Sequence, residues 1–154
     1  PRPAPRPRGR GGQASGRTRW WEATILSFVQ EKTIIVVEDD RLIAHLVCDV
    51  LHGLGHSVKT CDAGESAFAL ALSAAPAVML VDLRLGAESG EALIVRLAGD
   101  RRTAGIPIIA MTATGEPDVL ARLDRAGVVA LLEKPFAATD VAALVEAVLM
   151  AGPK

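Results

Sequence analysis

The chain has 154 residues, half of them apolar and 23% charged, with a formal net charge of −1; this size and balance fit one folded domain with a short appendage and argue against two domains or a disordered chain. Apolar runs end after five or six residues, far short of the roughly 20 needed to cross a bilayer. No apolar leader core is evident and the only cysteines are Cys48 and Cys61, which excludes a disulfide scaffold and points to a cytoplasmic protein with free thiols and no membrane partner.

The net charge conceals two unlike segments. Residues 1–19 carry six arginines and no acid, so the other 135 residues have a net charge of −7. Residues 1–31, rich in Pro, Gly and Arg, are expected to form a disordered or weakly structured extension, relieved by one short helical pattern of Trp21, Ile25, Phe28 and Val29. Met79 is the first methionine, so Pro1 reads as the product of truncation, processing or a misplaced start. The acidic remainder disfavours direct DNA binding.

Residues 32–151 read as the folded domain and 152–154 as a tail. Apolar runs at 34–37, 77–81, 106–110 and 128–132 show no in-out alternation, which predicts central parallel strands buried on both faces. A weaker run at 56–60 predicts an edge strand. Amphipathic stretches separate these runs: Ile43, Leu46, Val47, Val50 and Leu51 follow a helical spacing, repeated by Val141, Leu144, Val145, Val148 and Leu149. Gly53 and Gly55 are expected to end the first helix, and Thr139 or Asp140 to cap the last. Strand and helix alternate five times, the pattern of a doubly wound α/β sandwich.

Each strong run leads into a reactive polar residue: the first into Glu38-Asp39-Asp40, the second into Asp82, the third into Thr112, the fourth into Lys134. Ligands of open α/β sheets bind beyond the carboxyl ends of the strands, so these side chains are expected to meet. Gathered carboxylates repel one another and call for a hard, oxygen-seeking cation, for which Mg²⁺ is suited. Zinc does not fit, because Cys48 and the histidines (His45, His52, His56) lie on or beside the first helix, away from the predicted crevice. A metal, a lysine and a hydroxyl around one central carboxylate point to phosphoryl transfer onto that carboxylate. Asp82 is the best nucleophile, with Lys134 and Thr112 to hold phosphoryl oxygens. No glycine fingerprint of a nucleotide enzyme occurs.

Val37-Glu38-Asp39-Asp40, Val81-Asp82-Leu83-Arg84-Leu85 with Gly90 eight positions after Asp82, Met111-Thr112-Ala113 and Glu133-Lys134-Pro135-Phe136 together resemble the receiver domain of bacterial two-component response regulators. The intervals of 30 and 22 residues between Asp82, Thr112 and Lys134 match as well. The resemblance implies a flavodoxin-like fold, a five-stranded parallel sheet of order 2-1-3-4-5 with five helices. It also implies phosphorylation at Asp82, Mg²⁺ bound by Asp39, Asp82 and the backbone carbonyl of Arg84, and Glu38 as a further, indirect acidic-pocket residue. A tight turn at a cis Lys134-Pro135 bond would aim the lysine over the pocket.

Two departures bear on output. Gly86 stands where a proline often follows the phosphorylation loop, which is expected to loosen it. Leu131 stands where an aromatic commonly moves inward with the threonine, so the usual coupling is absent. The expected function is a stand-alone, chemotaxis-receiver-like phosphoacceptor, phosphorylated by a histidine kinase or histidine phosphotransfer protein. Output would run to a protein partner or dimer through the last helix, where Ala142, Ala143, Ala147 and Met150 face solvent. The alternatives are a receiver segment of a hybrid histidine kinase and an aspartyl-phosphate hydrolase, the latter wanting a carboxylate where Arg84 stands.

Overall fold

The computed structural model describes residues 30–113 and 117–152. The helical pattern at 20–29, most of the N-terminal extension, and residues 114–116 and 153–154 lie outside them. Strands and helices alternate as β1 (Thr33–Val37), α1 (Arg41–Gly53), β2 (Ser57–Cys61), α2 (Gly64–Ala74), β3 (Val78–Asp82), α3 (Gly90–Gly99), β4 (Ile108–Thr112), α4 (Pro117–Arg125), β5 (Ala130–Glu133) and α5 (Ala138–Ala151), with a small antiparallel ribbon of Arg84–Leu85 and Glu88–Ser89 between β3 and α3. The five strands form one parallel sheet in the order β2-β1-β3-β4-β5, the expected doubly wound arrangement.

Successive side chains of a strand point to opposite faces, and both faces here are apolar. Ile35, Val37, Met79, Val81, Ile108 and Ala110 pack with Phe68, Leu93, Ile94, Leu97 and Leu123 of α2, α3 and α4. Ile34, Val36, Val78, Leu80, Ile109 and Met111 pack with Val47, Leu51, Val141, Val145 and Val148 of α1 and α5. That double burial explains the runs without alternation. Asp40 caps α1, its carboxylate accepting the Leu42 and Ile43 N–H groups, and Gly55, at φ 85°, follows its C-terminus.

Three boundaries differ from the sequence reading. The 128–132 run is not a central strand: β5 begins at Ala130, pairs with β4 alone and leaves Leu131 42% exposed at the sheet edge. Val128 and Val129 owe their apolar character to a loop packed on opposite faces of the sheet, which periodicity cannot distinguish from a strand. In β4 pairing starts after Pro107, which has no N–H to give. At α5 the capping residue is Ala137, and Asp140 reaches back from the first turn to accept the Ala137 N–H at 2.8 Å.

Candidate functional site

The parallel register sets the strand ends side by side. Val37 lies opposite Val81, Asp82 opposite Met111 and Thr112 opposite Glu133, so Glu38, Asp39, Asp82, Thr112 and Lys134 converge on one edge. The Lys134 N–H donates to the Thr112 carbonyl at 2.7 Å, and the Lys134-Pro135 bond is cis. A cleft of about 220 Å³ opens there, lined by Asp82, Leu83, Arg84, Glu91, Thr112, Ala113, Val119 and Lys134.

Lys134 Nζ sits between two acids, donating to Asp82 Oδ2 at 2.8 Å and to Glu38 Oε2 at 2.7 Å. The other Asp82 oxygen accepts the Arg84 N–H at 3.1 Å, and the other Glu38 oxygen accepts the Asp40 N–H at 3.1 Å. Both carboxylates are almost fully buried. Burial pushes the Glu38 carboxyl up to about 7, against the pull of Lys134. Burial also opposes the charge on Lys134, but its bonds to Asp82 and Glu38 outweigh that and raise its pKa. One ammonium thus faces more negative charge than it neutralises.

Glu38, Asp39 and Asp82 each offer a carboxylate oxygen, and these oxygens lie within 4.8 Å of one another. Asp39 is exposed while the other two are buried, so the cluster opens to solvent on the Asp39 side. Hard oxygen donors in excess of their counter-charge fit Mg²⁺, which uses one or two carboxylates and keeps its waters. The neighbouring acid Asp40 is engaged elsewhere, as the α1 cap.

Gly90 closes the site from behind. A Cβ on it would lie 1.8 Å from the Asp82 carbonyl oxygen, so only glycine lets the start of α3 pass against the end of β3. Sequence reasoning did not find Glu91 in the cleft, nor the tie described below between Glu88 and Gly64. Both depend on how the loop after Asp82 runs. Cys48 and Cys61 are free, and burial raises the pKa of each. His45 and His52 are exposed, while the buried His56 bonds Glu146 at 2.9 Å; none lies among the residues lining the cleft.

Carboxylates, a hydroxyl and an amine on the carboxyl edge of a five-stranded flavodoxin-like sheet define the class: a receiver-type signalling domain. Residues 34–146 match the family of response regulator receiver domains, and the chain belongs to it. Receiver domains are the phosphoacceptors of two-component systems, signalling modules rather than turnover enzymes, and bind Mg²⁺ at an acidic pocket.

The chain is 32% identical over 118 residues to the phosphate regulon transcriptional regulatory protein PhoB of Pseudomonas aeruginosa, covering 77% of this chain and 52% of that protein. It is 34% identical over 117 residues to the DNA-binding dual master transcriptional regulator RpaA of Synechocystis, covering 75% and 48%. The chain spans about half the length of these curated relatives. Among solved structures, a putative response regulator from Chloroflexus aurantiacus superposes with a TM-score of 0.73 at 27% identity, covering 79% of this chain and 99% of that one. The chemotaxis response regulator CheY4 of Vibrio cholerae, at 22% identity and a TM-score of 0.72 over 77% and 99%, shares the fold. No helix among the described residues is long and apolar enough to cross a membrane.

Proposed function

We propose that Asp82 accepts a phosphoryl group from the phosphohistidine of a histidine kinase or phosphotransfer protein. The observation that carries this reading is the Lys134 bridge between Asp82 and Glu38 inside the three-carboxylate cluster. A carboxylate oxygen of Asp82 forms the new P–O bond as the P–N bond of the donor breaks. The bonding pair stays on the departing nitrogen, and because the other ring nitrogen of the phosphohistidine carries a proton, the donor leaves as neutral imidazole. Lys134 exchanges its bond to Asp82 for one to a phosphoryl oxygen, and the Thr112 hydroxyl donates to another. Asp39, Asp82 and the Arg84 carbonyl would hold Mg²⁺, with Glu38 acting indirectly. When bound, the ion neutralises the carboxylates and clamps the transferred group. Water attack on the acyl phosphate later restores Asp82, so the domain turns over no external substrate.

Output goes to a protein partner or a second copy through α5. Its outer positions Ala143, Ala147 and Met150 are exposed, Met150 at 86%. An apolar groove of about 490 Å³ runs beside them between Leu144, Ala147 and Ala151 and the Val129–Ala130 approach to β5. The phosphohistidine donor gives a cytoplasmic place of action. The acidic surface of the folded part supports protein rather than DNA contact.

Incubation with acetyl phosphate and Mg²⁺ should add a single base-labile phosphoryl group, seen by intact mass, and Asp82→Asn should abolish it. Labelling of that variant at the wild-type level would overturn the assignment. Phosphotransfer from a panel of histidine kinases then identifies the donor.

A further inference from the structure

The loop after Asp82 carries the Arg84 carbonyl and passes over the acidic cluster, where a Cβ on Gly86 would lie 3.5 Å from Asp39 Oδ2. Gly86, at φ 55°, does not leave this loop unstructured: it turns the antiparallel ribbon, in which Arg84 pairs with Ser89 and Leu85 with Glu88. At one end the loop is fixed by the Leu83 N–H on the Met111 carbonyl and the Gly90 N–H on the Leu83 carbonyl, both at 3.0 Å. Along its length Leu85 is buried in the core and Ser89 Oγ accepts the Ala92 N–H at 3.3 Å, and a further side chain ties the loop to α2. Glu88 Oε2 accepts the N–H of Gly64, the first residue of α2, at 2.7 Å across 24 residues of chain.

The α2 terminus is built to receive that carboxylate. Its capping position is Ala63, which has no side-chain acceptor, so the helix depends on a group from elsewhere for this N–H. A Cβ at position 64 would stand 2.9 Å from Glu88 Oε2, a contact that a small shift of the flexible Glu88 side chain would relieve. The positive end of the helix favours the negative charge. Two residues far apart in sequence are thus joined by one bond.

We infer that Glu88 is a positioning residue for the Mg²⁺ site, stapling the loop that carries the Arg84 carbonyl to the first turn of α2. This rests on the Mg²⁺-assisted reading of the pocket given above. Glu88 does not itself join the Glu38, Asp39 and Asp82 cluster; it sets the path of the backbone that would offer a neutral oxygen beside them. Held in one conformation before the ion arrives, the loop spares metal binding the entropy of ordering it.

Two readouts test the inference, one of them with no metal present. In EDTA, hydrogen exchange at the amides of Gly64 and of residues 83–90 should quicken about tenfold or more in Glu88→Ala. Calorimetric titration of Mg²⁺ should show a dissociation constant raised about tenfold, the size usual when a group that orients a ligand is lost. Glu88→Gln keeps an oxygen for the Gly64 N–H and should recover most of both effects. Unchanged exchange in Glu88→Ala overturns the staple, and faster exchange with wild-type Mg²⁺ affinity overturns the positioning role. A wild-type protein that binds no Mg²⁺ overturns the function reading and this role together, a failure marked by the control rather than the variant.

Discussion

Asp39 is the one member of the acidic cluster that reaches solvent, and this sets its part in the site. Glu38 and Asp82 share the Lys134 ammonium, whereas Asp39 lies on the exposed side of the cluster. Asp39→Ala should therefore lose Mg²⁺ affinity by more than the roughly tenfold expected for an orienting group, and acetyl-phosphate labelling of Asp82 should fall with it. An unchanged calorimetric titration would count against its role. At this scale the sequence was readable because strand order alone decides which residues share an edge. Once the runs before Glu38, Asp82, Thr112 and Lys134 are parallel neighbours, their ends must meet. Glu88 and Glu91 escaped because their places follow from the turn at Gly86 and the setting of α3, neither of which leaves a periodic trace.

Strand bounds were legible where no apolar loop adjoins the strand: β4 and β5 each begin two residues later than the apolar run that marks them. β1 and β3 contribute side chains to both apolar faces and were found within a residue of their bounds, whereas β5 was misplaced because loop residues Val128 and Val129 share the apolar character of a strand. The two cases differ in cost. Leu80, wholly buried under α1 and α5, should lose about 2–5 kcal/mol on truncation to alanine. Leu131→Ala, at the exposed edge, should cost less than about 1 kcal/mol and leave phosphorylation of Asp82 intact. Urea unfolding of the two variants gives the comparison, and similar losses would mean that Leu131 is buried in solution. The amphipathic spacing of α5 gave its inner face correctly, with Val141, Val145 and Val148 in the core. Its outer alanines bear on output: Ala143→Glu or Ala147→Glu should abolish partner capture or dimer formation by the phosphorylated protein while labelling of Asp82 continues. Normal partner binding by these variants would move the output surface, with the exposed Leu42 and Leu46 of α1 the next place to look.

For the molecule as a whole, the acidic pocket ties stability to both pH and metal. Without Mg²⁺, burial holds the Glu38 carboxyl at about 7, well above its ordinary value of 4.5, so between those limits the folded protein keeps a proton that the unfolded chain releases. Stability from this group is therefore fully present below about 4.5 and is lost as pH rises through about 7. Mg²⁺ acts in the opposite direction, since it favours the ionised cluster and binds only where the fold assembles it. At ten times its dissociation constant it adds about 1.4 kcal/mol to the folded state. The effect is read as a difference between two proteins, in which the contributions of all other groups cancel. In EDTA, the urea midpoint should fall between pH 5 and 7.5 more steeply for wild type than for Glu38→Gln, which cannot ionise there. Saturating Mg²⁺ should raise the wild-type midpoint most at the alkaline end and flatten its slope. Equal slopes for the two proteins in EDTA would show that Glu38 is not the group whose burial the fold maintains.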